Sequence, residues 1–221
     1  MLFRIYYFSR KVSRYPTLNW FRKGFAFLSS ALAGVFYKHV YETNIVWNRP
    51  FIVCANHTSN LDIAAITGLM QGNFAFLGKE ELLRNPVLSI FFKTIDIPVN
   101  RESKIASYRA FKRADEYLQN GLSLVIFPEG KIGYDYPPIL HPFKNGPFRL
   151  AIDRGIPIIP VTIDRLWELM WDDGFVHGSK PGVRTLFVHA PIETTGMTAD
   201  DADTLKELVY AKLQENSFIK S

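Results

Sequence analysis

The sequence predicts an α/β domain in which a mixed, largely parallel sheet is flanked by helices on both faces. After residue 42, short runs of apolar, β-favouring residues alternate with longer segments of helical periodicity. The predicted strands are apolar along most of their length, which is typical of strands that are covered on both faces. The chain has 221 residues and 48% hydrophobic residues, which suits one globular domain and excludes disordered or low-complexity proteins.

The predicted elements alternate along this domain without an internal repeat. Strands are predicted at 45–55, 74–77, 94–99, 122–127, 157–163 and 185–190. Helices are predicted at 61–71, 80–92, 103–119, 146–154 and 203–216. Prolines 157 and 160 favour an edge or site-lining position for the strand that carries them. Ligands of such sheets bind beyond the carboxyl ends of the strands, so the polar residues there are the candidates for function.

Residues 1–41 differ in composition from the rest of the chain. They contain seven Lys or Arg, no Asp or Glu, and 12 of the 32 aromatic residues, whereas residues 42–221 carry 19 basic and 21 acidic side chains. The basic charge therefore belongs to one segment, which argues against a nucleic-acid-binding surface spread over the domain. We divide the chain into a helical membrane anchor, residues 1–41, and a catalytic domain, residues 42–221.

The anchor is predicted from an apolar stripe with basic residues around it. The stripe follows helical spacing through Leu18, Phe21, Phe25, Leu28, Leu32 and Val35. The apolar run 24–37 has 14 residues, fewer than the ~20 that span a bilayer. We therefore expect an in-plane or partly embedded helix on the cytoplasmic face of the cytoplasmic membrane, with Arg22, Lys23 and Lys38 reaching anionic head groups.

Two other interpretations of this segment stay open. The stripe also fits a helix that packs on the core of the domain. Residues 30–33 resemble a small-residue cleavage site that follows a short hydrophobic region, as in a signal peptide. The single cysteine, Cys54, excludes an intrachain disulfide and a multi-cysteine metal site, and we interpret it as a small core residue.

The main candidate for catalysis is a histidine followed five residues later by an aspartate. His57 and Asp62 span the turn from the first predicted strand to the first predicted helix. Histidine is suited to take a proton from an alcohol near neutral pH, and a carboxylate on its second nitrogen would fix the tautomer and stabilise the imidazolium. The alternative is that Ser59 and Asp62 form a capping box at the start of the helix.

Further polar residues follow the later strands. Glu129 and Gly130 come directly after the strand 122–127, where a carboxylate can bind substrate hydroxyls or cap a turn. Lys144 precedes the helix 146–154 and can meet an anion. The prolines at the strand 157–163 complete an ordered set of motifs.

This set resembles the four sequence blocks of the glycerolipid acyltransferase family, whose best-known members are the 1-acyl-glycerol-3-phosphate acyltransferases. The blocks are residues 56–62 (NHTSNLD), 79–101 (from KEEL to Arg101), 127–146 (with FPEG and FKNG) and 156–161 (IPIIPV). The resemblance covers about residues 45–165 and implies the glycerol-3-phosphate acyltransferase-like fold. It also implies O-acyl transfer from acyl-CoA or acyl carrier protein to a lyso-lipid hydroxyl, without a metal or another cofactor.

The resemblance assigns a role to each matching residue. It implies that His57 is the general base, that Asp62 orients it, and that neighbouring Asn56 belongs to the same site. It further implies that Glu129 and Gly130 bind the acceptor and that Arg101 holds its phosphate. Pro157 would shape the acyl pocket, while backbone N–H groups at the start of the helix 61–71 would stabilise the oxyanion.

One departure from the family pattern concerns the acceptor. The family usually continues Glu-Gly with Thr-Arg-Ser, whereas this chain continues with Lys131, Ile132 and Gly133. Lysine is a point charge and lacks the bidentate fork of arginine. Either Lys131, Lys144 and Arg101 suffice for a phosphate, or the acceptor is another lyso-lipid such as a lyso-amino-acid lipid. A thioesterase-like hydrolase and a non-catalytic peripheral membrane protein on the same scaffold stay open as further alternatives.

Overall fold

The structure is a computed structural model that describes residues 15–84, 88–100, 102–171 and 177–215. Within these residues seven strands form one sheet. The strands are β1 (Val35–Tyr41), β2 (Ile52–Ala55), β3 (Phe74–Lys79), β4 (Ile97–Val99), β5 (Ser123–Ile126), β6 (Ile158–Ile163) and β7 (Gly182–Val188). Their order across the sheet is β1-β7-β6-β2-β5-β3-β4.

The sheet is mixed and largely parallel, as predicted. Only the β6–β7 pair is antiparallel among the strand pairs of the described residues, and β1 pairs parallel with β7. Strands β2, β3, β4, β5 and β6 all point the same way. Their carboxyl ends therefore meet at one edge of the sheet, where the polar motifs follow the strands.

Helices cover both faces of this sheet. They are α1 (Tyr15–Leu32), α2 (Asp62–Leu69), α3 (Ser89–Phe92), α4 (Lys104–Gln119), α5 (Gly146–Arg154) and α6 (Ala202–Glu215). Helices α4, α5 and α6 bury their apolar side chains in one core cluster, and α2 buries its side chains in a second cluster on the opposite face. Short 3-10 turns lie at Glu80–Arg84, Leu166–Glu168 and Ala199–Asp201.

Several predicted elements differ from the observed ones. The first predicted strand begins only at Ile52, and the predicted helix 80–92 contains the 3-10 turn Glu80–Arg84 and the short helix α3, with 85–87 outside the described residues. The strand 157–163 is an interior strand and not an edge strand. Pro160 lies inside it opposite Cys54, and its carbonyl accepts a hydrogen bond from the backbone N–H of His189 at 3.0 Å.

Residues 35–41 form a strand where the sequence predicts the end of a helix. The reason is Gly34, which adopts a φ of 69° and ends α1 before Val35. Its backbone also passes so close to Pro181 that a Cβ at position 34 would lie 2.7 Å from the Cβ of that proline. The boundary between residues 41 and 42 therefore falls at the end of a strand of the sheet, and the assignment of residues 1–41 to an anchor stays a prediction.

Helix α1 buries a face of mixed polarity and exposes a largely apolar one. Its buried residues are Tyr15, Leu18, Asn19, Arg22, Ala26 and Ser30. Its exposed large apolar residues are Trp20, Phe25, Phe27, Leu28 and Leu32, of which Leu32 is 81% exposed. Of the predicted stripe within α1, only Leu18 is fully buried, so core packing does not explain the stripe.

The prediction that Arg22 reaches lipid head groups is wrong. Its side chain is buried and forms an ion pair with Asp96. Residues 1–14 of the predicted anchor lie outside the described residues. Within the part of the chain that the structure describes, every helix is too short or too polar to cross a bilayer.

Candidate active site

The structure brings His57 and Asp62 together at the carboxyl end of β2. His57 Nδ1 lies 2.9 Å from Asp62 Oδ2, and Asp62 is the first residue of α2. The same carboxylate oxygen accepts hydrogen bonds from the backbone N–H groups of Thr58 at 2.7 Å and Ser59 at 2.8 Å. Asp62 therefore closes the turn before the helix and orients His57 at the same time. The predicted capping box is only half formed, because the Asp62 N–H donates to the Ser59 carbonyl and not to Ser59 Oγ.

The imidazole of His57 is held from a second side by an aromatic ring. Phe127 stacks on it with a centroid distance of 4.0 Å and an interplanar angle of 16°. The hydrogen bond to Asp62 and this stacking together fix the plane of the ring, and 15% of the side chain is exposed. Because Nδ1 faces Asp62, Nε2 is the nitrogen that can exchange a proton with a substrate.

Asn56 supports this site by joining two strands. Its amide nitrogen donates to the Ile163 carbonyl at 3.0 Å, and its oxygen accepts from the Ile163 N–H at 2.7 Å. Both bonds connect the end of β2 to the end of β6, and the side chain is fully buried. Asn56 thus fixes the backbone immediately before His57.

Glu129 occupies a similar supporting position. One carboxylate oxygen accepts from the backbone N–H of His57 at 2.8 Å, and the other accepts from the backbone N–H of His141 at 2.9 Å. The residue is 3% exposed. Burial raises the pKa of Glu129 to about 8, although the two backbone hydrogen bonds act in the opposite direction. The carboxylate therefore connects the loop after β2 to the loop after β5.

The remaining predicted site residues lie in different surroundings. Gly130 lines the cavity beside His57, while Lys131 and Lys144 are exposed on the two ends of the loop after β5. Arg101 lies outside the described residues.

The position of Pro157 differs from the prediction that it shapes the acyl pocket. Pro157 precedes β6, and its carbonyl accepts a hydrogen bond from the Ile52 N–H at the start of β2. It is therefore at the opposite edge of the sheet from His57. It does not line the cavity described next.

A cavity of about 360 Å³ opens beside His57 and runs between α1, α2 and β3. Aromatic and aliphatic side chains dominate its wall. They include Phe25 and Ala26 of α1, Leu61, Ile63 and Ala64 at the start of α2, Phe76 of β3, and Phe127 after β5. Its polar members include Lys79, Tyr134 and the pair of Arg22 and Asp96. The cavity is mostly apolar and reaches the imidazole, as a site for a hydrocarbon chain must.

The backbone N–H groups predicted to stabilise an oxyanion are largely occupied. Those of Thr58 and Ser59 donate to Asp62, that of Leu61 donates to Ser59 Oγ at 3.1 Å, and that of Asp62 donates to the Ser59 carbonyl at 3.1 Å. These bonds shape the turn that carries His57. The cysteine interpretation agrees with the structure, since Cys54 is fully buried and burial raises the pKa of its thiol.

The sequence patterns did not indicate three of the groups that build this site. Phe127 belongs to the FPEG motif, but the motif does not mark it as a site residue. The backbone N–H of His141 cannot be predicted from a pattern of side chains. Ser59 Oγ, which donates to the Met170 carbonyl at 2.6 Å, depends on a contact across 111 positions. The position of Phe127, one residue before the Pro-Glu-Gly turn, is the one signal that was available.

Comparison of the chain with known proteins identifies its family. A family model described as Acyltransferase matches residues 37–164, which is more than half of the chain and contains His57, Asp62 and Glu129. The chain belongs to the Acyltransferase family. An uncharacterized acyltransferase of Schizosaccharomyces pombe is 28% identical over 195 residues, which are 86% of this chain and 69% of that protein.

Two relatives of the Acyltransferase family have more specific names. The 1-acyl-sn-glycerol-3-phosphate acyltransferase of Haemophilus influenzae is 30% identical over 160 residues, 70% of this chain and 62% of that enzyme. The crystal structure of the 1-acyl-sn-glycerophosphate acyltransferase PlsC from Thermotoga maritima superposes with a TM-score of 0.74 at 25% identity, and the match covers 97% of this chain and 86% of that one. Across four curated relatives, the match spans 49% to 69% of the relative's own length.

Proposed function

We propose that this protein is an O-acyltransferase that moves a fatty acyl group from an acyl thioester to the free hydroxyl of a lyso-lipid. The single observation that carries the proposal is the His57–Asp62 pair at the mouth of an apolar cavity. A hydrocarbon chain in the cavity would place its thioester carbonyl next to the imidazole. The named relatives support 1-acyl-glycerol-3-phosphate as the acceptor and phosphatidic acid as the product.

The chemistry requires one base and no acyl-enzyme intermediate. Nε2 of His57 takes the proton of the acceptor hydroxyl while that oxygen attacks the thioester carbonyl. The tetrahedral intermediate expels the thiolate, and the imidazolium returns the proton to the sulfur. Asp62 stabilises the imidazolium during this exchange and keeps Nε2 directed to the substrate. The donor is acyl-CoA or acyl carrier protein.

The acceptor phosphate would be held by basic side chains around the loop after β5. Lys131 and Lys144 are exposed at its two ends, and Arg101 is the third candidate. Each lysine supplies a point charge in place of the usual arginine fork. A lyso-lipid with a different head group, such as a lyso-amino-acid lipid, is the alternative acceptor for the same chemistry.

We also propose that the protein binds the surface of the cytoplasmic membrane through α1. Trp20, Phe27 and Leu32 project from the domain on its exposed face, which core packing does not require. The same helix forms one wall of the cavity, so lipid substrates would enter from the surface on which α1 rests.

Vesicle binding tests the membrane proposal. Trp20→Ser, Phe27→Ser and Leu32→Ser combined should reduce sedimentation with anionic vesicles at least tenfold, since each removed side chain contributes roughly 1.5–3 kcal/mol of burial. Ile105→Ser with Tyr108→Ser is the matched control, because both residues are exposed and apolar but lie on α4. Equal sedimentation of all three proteins would refute the proposal.

Thiol release tests the reaction. Palmitoyl-CoA in mixed micelles is incubated with the wild-type protein, with and without lysophosphatidate. Release that requires lysophosphatidate supports the acyltransferase and shows that a phosphate acceptor is used. Equal release without the acceptor supports the hydrolase, and absence of release with every lyso-lipid and both donor types contradicts the proposal.

A further inference from the structure

Helix α4 presents a basic and apolar stripe on its outer surface. The stripe consists of Lys104, Ile105, Tyr108, Arg109 and Lys112, which recur four residues apart in two adjacent rows and therefore share one face of the helix. All five side chains are exposed, Ile105 to 67% and Tyr108 to 70%. Three cations thus surround two large apolar side chains, and we call these five residues the α4 stripe.

The fold itself does not require the α4 stripe. The buried residues of α4 lie on the opposite side of the helix, and they are Ala110, Ala114, Tyr117 and Leu118. Lys104 occupies the first helical position, where the helix dipole disfavours a cation, and the first turn contains no acidic residue. Within the ranges that the structure describes, none of the three cations of the stripe forms an ion pair. The stripe is therefore available to a partner.

Charge is segregated along this helix. Residues 103–114 contain four basic side chains and no acidic one. The acids of α4, Asp115 and Glu116, lie in its C-terminal half, and Asp115 pairs with Arg154 of α5. Glu102 is an exposed acid just before the N-cap residue Ser103. The N-terminal half of α4 therefore attracts anionic groups.

The α4 stripe begins at the edge of the sheet at which the active site lies. Helix α4 follows β4, and the parallel strands β2 and β4 end at the same edge. Strands β5 and β3 separate β2 from β4, so β4 lies roughly 14 Å from β2 across the sheet. Because α4 packs on the face opposite α2, a donor bound to the stripe would reach His57 by crossing this edge.

The shape of the stripe favours a macromolecule over a small donor. Lys104 and Lys112 are roughly 12 Å apart along the helix, and Ile105 and Tyr108 lie between them. The stripe is a convex helix surface, and among the described residues none of its members lines the cavity beside His57. A nucleotide such as that of CoA needs donors that converge in a concave site. Cations around exposed apolar side chains instead fit a protein surface with the complementary pattern.

The bilayer is a less suitable partner for the α4 stripe. Phe25 and the other exposed apolar residues of α1 belong to the helix that forms the wall of the cavity with α2. Helix α2 lies on the face of the sheet opposite α4. A membrane on which α1 rests therefore leaves the outer surface of α4 open to a soluble partner.

We propose that the α4 stripe docks the acidic surface of an acyl carrier protein that delivers the acyl thioester. This inference rests on the acyl-transfer function proposed above. Carboxylates of the carrier pair with the three cations, while Ile105 and Tyr108 contact apolar side chains between those carboxylates. The prosthetic arm of the carrier crosses the edge of the sheet, so that the thioester carbonyl lies at His57 and the acyl chain enters the cavity on the other face.

The decisive variant reverses two charges of the stripe. Lys104→Glu with Arg109→Glu changes exposed side chains only, so the fold is retained. Transfer to lysophosphatidate is measured with palmitoyl-acyl carrier protein and, separately, with palmitoyl-CoA. We expect kcat/KM for the carrier donor to fall roughly tenfold or more, because like charges then face each other in the encounter, and kcat/KM for the CoA donor to stay within about twofold.

A matched control makes the same change in net charge elsewhere. Lys93→Glu with Lys180→Glu alters two exposed lysines, one at the end of α3 and one shortly before β7. Its kcat/KM should equal that of the wild type with both donors. Added salt should lower kcat/KM for the carrier donor in the wild type more steeply than in the Lys104 and Arg109 variant, since salt screens the attraction.

The outcomes separate this inference from the proposed function. Equal losses with both donors, or a loss of sedimentation with anionic vesicles in the Lys104 and Arg109 variant, would overturn docking of a carrier. A wild type that uses palmitoyl-CoA but not the carrier donor overturns the inference alone, whereas absence of transfer with either donor overturns the proposed function. Fluorescence anisotropy of labelled holo-acyl carrier protein tests docking without turnover, and binding that is equal in the wild type and the variant would contradict it.

Discussion

The two ends of the cavity are both built around a buried aspartate, but they differ in how the partner is supplied. At the mouth, Asp62 bonds to a histidine five residues earlier and to two backbone N–H groups of the same turn. At the inner end, Asp96 bonds to Arg22, which is 74 residues away on the first helix, and to one backbone N–H of β3. The first arrangement is local, whereas the second requires the folded domain.

The chemical environment of the two ends also differs. His57 is partly exposed, and in the proposed mechanism the charge that forms on it is transient and is stabilised by Asp62. Arg22 is surrounded by aromatic rings, and burial raises the pKa of Asp96 while the neighbouring guanidinium lowers it. We therefore expect changes to the His57–Asp62 pair to affect the rate of the proposed reaction, and changes to the buried Arg22–Asp96 pair to affect stability.

The largest effect on the rate is expected from Asp62→Asn. The amide can donate to His57 Nδ1, which would favour the wrong tautomer and remove the stabilisation of the imidazolium. We expect kcat to fall by about 10² to 10⁴ with an unchanged circular dichroism spectrum. The rate is measured by transfer to lysophosphatidate. A decrease of less than tenfold would mean that the pair at the mouth does not act in catalysis.

The largest effect on stability is expected at the other end. Arg22→Ala leaves Asp96 buried without its partner, which should lower the free energy of unfolding by about 3–5 kcal/mol in chemical denaturation. Arg154→Ala is the matched control, since it breaks an Arg–Asp pair on the surface, and it should cost at most about 1 kcal/mol. Similar losses for the two variants would remove the distinction between the buried pair and a surface pair.

The sequence predicted the local end of the cavity and not the remote end. His57 and Asp62 are separated by one turn of chain, so their spacing already restricts them to one place, and the alternation of strands and helices orders the loops around them. Arg22 was assigned to lipid head groups because a basic residue beside an apolar stripe is typical of an interface. Its partner could be identified only once α1 was known to lie on β3.

The same limit explains the other corrections. Gly34 ends α1 and starts β1 because the backbone must pass close to Pro181, a contact that depends on the far end of the chain. Pro157 belongs to a motif by its sequence, yet its position at the start of a parallel strand places it away from the strand ends at which the site forms. The FPEG motif identifies Glu129, but it does not indicate that the backbone N–H groups of His57 and His141 bind its carboxylate.

Glu129→Gln separates a supporting role from substrate binding. Glutamine has one carboxamide oxygen, and its NH₂ group would face one of the two backbone N–H donors. Loss of one of the two backbone hydrogen bonds should lower kcat by about 10-fold to 100-fold. If Glu129 acts by positioning His57, the KM for the lyso-lipid stays within about twofold of the wild-type value.

An increase in that KM with little change in kcat would indicate direct contact between Glu129 and the acceptor. Asn145→Ala is a suitable control, because this residue follows the same loop and its amide bonds Asp203 on the surface at 3.0 Å. It should leave both kinetic constants unchanged.

The last prediction concerns the dependence of stability on pH. The pKa of Glu129 is raised to about 8 by burial in the folded protein, above its value of ~4.3 in an unfolded chain. Its contribution to stability is therefore fully present at low pH and is lost as the pH rises toward about 8. The wild type should lose stability relative to Glu129→Gln between about pH 5 and pH 8 in thermal unfolding. Parallel curves over that range would show that the carboxylate is already ionised in the folded protein at low pH.

Formation of the lipid product tests the central claim most directly. Wild type and His57→Gln are incubated with palmitoyl-CoA and a lysophosphatidate whose own acyl chain is deuterated, and the phosphatidate that contains both chains is quantified by mass spectrometry. The mechanism predicts this mixed product with the wild type and a decrease of at least 100-fold with His57→Gln. Comparable amounts of product from both proteins would contradict the assignment of His57 as the base.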